Sequence, residues 1–285
     1  MTRIRKTRMT RSSRATMEGA GVLLHRAFGS SGEAVLFDPF LLLDDFRSDE
    51  ASEYLRGFPW HPHRGIETVT YMLAGRMRHS DSLKNRGVIG AGDVQWMSAG
   101  GGIIHEEMPE QREGRLAGFQ LWVNLPRSQK MSMPRYQEIP AAGVTTVERP
   151  LGVRIKVLAG EVDGVRGPVG DVAVEPTYLD VSLPLGGVFE QPTPPEHTVF
   201  AYIIEGSATP SPGEAPLGDR ELVLFEPGDA VRVEAGAAGC RFLLIAGKPL
   251  KEPVAWRGPI VMNSEAEVNE AFEDYRNGTF LDRSR

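Results

Sequence analysis

The chain has 285 residues, with 32 Lys and Arg against 38 Asp and Glu, giving a formal charge of −6. That balance argues against a broadly basic, DNA-binding surface, and 41% apolar with 25% charged residues describes a folded chain rather than a disordered one. One cysteine, Cys240, excludes an internal disulfide framework and any multi-cysteine metal site, and no apolar run is long enough to form a membrane helix.

In chain order, the start is basic. Arg3, Arg5, Lys6, Arg8, Arg11 and Arg14 precede the first acid, Glu18. An Arg-, Ser- and Thr-rich opening can serve as a transit peptide, but this one lacks an amphipathic pattern. Residues 1–19 therefore read as a solvated, flexible tail without the apolar periodicity needed to pack.

From Val22 the pattern turns apolar, through Leu36-Phe37-Asp38-Pro39-Phe40-Leu41-Leu42-Leu43. Short segments bounded by Gly, Pro and Asp follow: Glu67–Leu73, Val88–Met97, Gly118–Leu125, Val153–Ala159, Tyr178–Leu183, Thr198–Glu205, Glu221–Phe225, Ala230–Glu234 and Arg241–Ala246. Each is short and rich in β-branched or aromatic residues, which predicts an all-β protein. One helix is predicted near the end. Ser264 and Glu267 form a capping box, Val268, Ala271, Phe272 and Tyr275 follow at helical spacing, and Gly278 stops it.

An internal repeat sets the domain plan. Tyr71-Met72-Leu73-Ala74-Gly75 is echoed by Tyr202-Ile203-Ile204-Glu205-Gly206 at an offset of 131. Gly92-Asp93 with Ala99-Gly100 is echoed by Gly228-Asp229 with Ala235-Gly236 at an offset of 136. Two copies of one β-domain follow, spanning residues 20–135 and 136–285, with the proline-rich stretch Pro126–Leu151 as the crossover.

The chemistry concentrates in His61-Pro62-His63 and His105-Glu106-Glu107. Residues at i and i+2 of a strand share a face, so His61 and His63 converge, as do His105 and Glu107, while Glu106 points away. Three imidazoles and a carboxylate leave open positions on an octahedral ion. Iron(II) suits that pattern, and manganese, nickel, copper or zinc also fit it. Glu67 competes for the carboxylate role, because parity counted from His63 places it on the same face.

The motif Gly57-x3-His61-x-His63-x3-Glu67-x7-Gly75 resembles the first cupin motif, and Gly92 to Gly100 followed by His105 resembles the second. More narrowly, Asp38-Pro39-Phe40-Leu41-Leu42, His61-Pro62-His63-Arg64-Gly65-x-Glu67-Thr68-Val69, Gly92-Asp93-Val94-Gln95-Trp96-Met97 and Leu121-Trp122-Val123-Asn124-Leu125 resemble the pirin family of bicupins. So do Leu244-Ile245-Ala246-Gly247-x-Pro249-Leu250 and Gly258-Pro259-Ile260-Val261-Met262-Asn263.

The resemblance implies two tandem cupin, jelly-roll-type β-barrels with a short C-terminal helix on the second. It also implies one Fe2+ per chain, held by His61, His63, His105 and Glu107. Glu67 is left as a barrel-wall residue. Shifted by the repeat offsets, these ligand positions become Pro192, Pro194, Arg241 and Leu243, so the second domain is expected to hold no metal.

The implied activity is quercetin 2,3-dioxygenase-type cleavage of a flat aromatic substrate with O2. Glu107 would double as the base, and Phe58, Trp60, Trp96 and Met97 would line a substrate pocket. The alternative is an iron-dependent redox-sensing regulator acting through a protein partner. In that reading the glycine run Gly100-Gly101-Gly102 would move with the metal's oxidation state. A monomer in the cytoplasm, or in the nucleus of a eukaryote, completes the expectations.

Overall fold

In the computed structural model the chain divides into two units, and residues 2–283 are described. One unit joins Arg14–Ala141 to Leu250–Arg285 and is called here the first domain; the second domain joins Met1–Ser13 to Ala142–Pro249. The strands of the first half are β1 (Thr7–Ser12), β2 (Arg14–Glu18), β3 (Val22–Phe28), β4 (Phe40–Asp45), β5 (Phe58–His63), β6 (Ile66–Ala74), β7 (Arg76–Asp81), β8 (Arg86–Gly90), β9 (Val94–Ser98), β10 (Ile103–Pro109), β11 (Ala117–Asn124) and β12 (Arg135–Ile139). Each predicted segment is strand. Val88–Met97 proves to be two strands turning at Gly92-Asp93, and the last two segments merge into one strand, Ala230–Gly247.

In the first domain β12-β9-β6-β11-β4-β3-β2 form a seven-stranded sheet and β5-β10-β7-β8 a four-stranded one. These are two separate sheets rather than one closed barrel. The C-terminal helix, Glu265–Asn277, lies within the predicted caps: Ser264 accepts from the Glu267 amide, and Gly278 adopts the left-handed conformation. It belongs to the first domain and not, as expected, to the second. Arg64, beside His63, explains the tie: its guanidinium donates to Asp274 Oδ2 at 2.9 Å and to the Phe280 carbonyl at 2.9 Å.

The basic start corrects another expectation, because it is not a free tail. β1 pairs antiparallel with Glu221–Phe225 at the edge of the second domain's sheet, and β2 pairs with β3 in the first. Arg5 is 1% exposed, donating to Thr193 Oγ1, the Glu226 carbonyl and the Pro194 carbonyl. A buried guanidinium whose donors all find acceptors is tolerated, and its charge does not keep this segment in solvent.

The second domain's interior is an apolar cluster that includes Ile155, Val157, Leu179, Val181, Phe189, Ala201, Val231, Phe242 and Leu244. Arg241 faces elsewhere, gripping Asp180 through two hydrogen bonds at 2.9 and 2.7 Å, and Leu243 is fully buried. Among the described residues, no helix is long and apolar enough to cross a membrane.

Candidate metal centre

His61 and His63 leave β5 on one face, and His105 on β10 sits directly opposite His61 in the strand register. The ligating atoms of the three rings lie within 4.8 Å of one another, the one such group of three or more among the described residues. The Nδ1 of His61 is 2.8 Å from the Pro59 carbonyl, and that of His63 is 3.2 Å from the Pro259 carbonyl. A carbonyl accepts only from N–H, so each bond fixes the proton on Nδ1 and leaves the Nε2 lone pair for an ion.

Both nitrogens of His105 are buried without a hydrogen-bond partner. Burial, and for His63 and His105 the neighbouring rings, lower the pKa of all three imidazoles, which favours the neutral form that ligates metal. Buried, unpaired nitrogens such as those of His105 are costly, and a divalent cation removes that cost. The residues present therefore fit a first-row metal held by three nitrogens.

Glu107 lines the same cavity, two residues beyond His105 on β10, with a register bulge against β5 between them. Its carboxylate lies outside the histidine set and accepts from Thr70 Oγ1 at 3.0 Å. Burial pushes its pKa up to about 7 against that hydrogen bond. Glu106 alternates away from the buried face.

Glu67 does not reach the site, and the parity count from His63 fails for a local reason. The chain turns at Arg64-Gly65 before β6 begins, with Gly65 at φ +80°, where a Cβ would also collide with the Val261 carbonyl. Glu67 consequently turns from the cavity and accepts from Trp96 Nε1 at 3.0 Å.

The cavity beside the histidines has a volume of about 690 Å³. Phe58 and Trp60 line it, joined by Trp122 and Trp256, and Trp60 is 51% exposed. Trp122 stands edge-on to His63, their ring centroids 5.1 Å apart. Trp96 and Met97 do not line it. Trp96 is committed to Glu67, and Met97 packs with Ala99, Ile103 and Tyr136. The glycine run is tied down: Gly100 accepts from the Gly65 amide, and Gly101 and Gly102 donate to Ser132 and Ala99.

Two further groups had no sequence expectation attached. On the seven-stranded sheet, Arg26, Asp44, Gln120 and Thr70 are successive register partners across β3, β4, β11 and β6. Behind His105, the His79 ring lies 5.3 Å away, with Nε2 at 3.0 Å from the Tyr136 hydroxyl. The only sequence signal for the second group was the shared parity of His79 and Asp81, which pair in register with Glu107 and His105.

Residues 21–123 match the pirin family and residues 178–281 match the pirin C-terminal cupin domain. The chain belongs to the pirin family. It is 50% identical to a pirin-like protein of Caulobacter vibrioides, over 93% of this chain and 95% of that one. Its fold matches a crystal structure of quercetin 2,3-dioxygenase from Acinetobacter baumannii with a TM-score of 0.89 and 31% identity, covering 97% of this pirin and 98% of that chain. The bacterial pirin YhhW of Escherichia coli, solved with nickel(II), shares the fold at a TM-score of 0.65 and 22% identity, covering 85% of this pirin and 99% of YhhW.

Proposed function

We propose that this pirin is a mononuclear non-haem iron dioxygenase that cleaves quercetin-type flavonols with O2. The observation that carries the reading is the convergence of three imidazoles, two of them on the wall of an aromatic-lined cavity of about 690 Å³. The similarity to the Acinetobacter baumannii protein named quercetin 2,3-dioxygenase supports it. When bound, iron(II) supplies a Lewis acid with positions open to substrate oxygen and O2.

His61, His63 and His105 hold the ion, the first two through the nitrogens that their carbonyl partners leave free. Glu107, whose carboxylate lies outside the histidine set, acts as the base. Thr70 holds Oε1, and Oε2 takes the proton of the substrate hydroxyl. Phe58, Trp60 and Trp122 on the cavity wall supply apolar contact to the flat ring.

Iron-loaded protein should consume O2 in step with loss of the flavonol absorption band, and His61→Ala should not. Failure of protein carrying one iron per chain to consume either would overturn the reading.

A further inference from the structure

The inner face of a sheet that bounds a core is ordinarily apolar, and the second domain follows that rule. There the residue matching Thr70 at the repeat offset is Ala201, part of the apolar filling. The first domain instead sets Arg26, Asp44, Gln120 and Thr70 in one register row, from the outer end of the cavity to Glu107. Asp44 is only 5% exposed, so the row is built into the wall rather than scattered on a surface.

The hydrogen bonds show which capacity is spent and which is open. Arg26 donates from Nε and one terminal nitrogen to the two oxygens of Asp44, at 2.8 and 2.7 Å, and from the other nitrogen to Glu18 at 2.8 Å. Each of its three nitrogens donates to a carboxylate, so its charge is flanked by two acids, and it is the one Lys or Arg in the cavity lining. Each Asp44 oxygen accepts one of these bonds and keeps a further lone pair, and Glu18 remains partly exposed. The single Thr70 hydroxyl proton goes to Glu107, so Gln120, 3.0 Å from Thr70 Oγ1, meets it through its NH2 group and keeps one N–H and its carbonyl oxygen without a side-chain partner. The wall thus offers acceptors and one amide, but no free cation.

We propose that this row is a substrate subsite that selects an uncharged, polyhydroxylated aromatic ring and rejects a carboxylate-bearing one. Hydroxyl groups donate to Asp44 and Glu18 and accept from Gln120, while the flat ring lies against Trp60, Trp122 and Trp256. An added carboxylate would meet Asp44 and Glu18 with the only guanidinium already taken, and like charges facing each other reject a ligand more sharply than a missing contact does. Arg26 and Asp44 are then specificity determinants. Arg26 acts by being occupied.

The proposal rests on the cavity being the substrate site, so its test reads binding without turnover. Anaerobic quenching of tryptophan fluorescence in the full chain would compare quercetin with flavonols lacking one or the other of its hydroxyl pairs. Loss of one pair should weaken binding roughly tenfold, the effect of a hydrogen bond to a charged group. That loss should disappear in Gln120→Ala and in Glu18→Gln. A flavonol carrying a carboxylate in place of the same pair should bind more weakly still, and Asp44→Asn, by releasing Arg26, should restore it.

Equal affinity for all these ligands, or a hydroxyl preference that survives both Gln120→Ala and Glu18→Gln, overturns the subsite. Should Asp44→Asn fail to fold, the Gln120 and Glu18 variants still decide. Absence of O2 consumption with the preference intact sinks the dioxygenase reading alone, and turnover without preference sinks the subsite alone.

Discussion

The two domains of this pirin differ in what occupies their interiors. In the second, Val, Leu, Ile and Phe side chains close the interior. In the first, the same kind of space holds three histidines, a buried carboxylate and a polar row around a cavity. The matching positions diverge one by one: Arg241 is paired with Asp180, Leu243 is buried, and the Pro194 carbonyl takes a hydrogen bond from Arg5. One architecture therefore encloses an apolar core in one domain and a histidine-lined cavity in the other, and the residues on the inner faces make the difference. A polar interior must satisfy each group at some cost in stability, whereas an apolar one adds stability directly.

The largest test of this contrast is metal binding. His105→Ala should lower metal affinity more than the roughly 10–100-fold typical of disturbing a ligand's support, while Arg241→Ala leaves it unchanged. Elemental analysis of the purified variants checks both, and equal loss in the two would erase the distinction between the domains.

The reverse experiment targets the apolar filling. Phe242→Ala should cost the second domain about 3–5 kcal/mol in denaturant unfolding without changing metal content. A loss below about 1 kcal/mol would mean that the site collapses around the deletion.

Arg5→Met, which keeps length and removes three hydrogen bonds, should cost about 2–3 kcal/mol at roughly 1 kcal/mol each. Unchanged stability would restore the view of the N-terminus as a loose tail.

The smallest effect belongs to Glu67→Gln. Burial raises the Glu67 pKa above 4.5, opposed by the Trp96 hydrogen bond. The wild-type carboxyl therefore contributes most below 4.5, and that contribution is lost as pH rises towards the folded value. The glutamine variant should match wild type in acid and exceed it by about 1 kcal/mol near neutrality, with unaltered metal content. Unfolding curves at the two ends of that window would show whether the gain appears.

Much of the metal site was legible because its spacing is local. Strand parity needs only two residues, so His61 with His63 and His105 with Glu107 could be paired from the sequence. Parity failed for Glu67 because it was carried across a turn. The polar row was invisible for a different reason: Arg26, Asp44, Gln120 and Thr70 are far apart in the chain, and only strand register aligns them. Trp96 and Met97 were misplaced because a motif says nothing of which sheet face a residue takes. β1 was missed because its charges concealed an alternating strand, and a buried arginine leaves no apolar signal.

Three hydrogen bonds link the site to the order in which the chain is made. The carbonyl that orients His63 belongs to Pro259, and Arg64 is held by Asp274 and Phe280, near the far end of the polypeptide. All three imidazoles leave the ribosome long before these partners exist. A nascent or truncated chain ending before residue 250 therefore displays the histidine motif without the carbonyl that orients His63. Full orientation of the His63 ring is in this way deferred until residues 259–280 are in place.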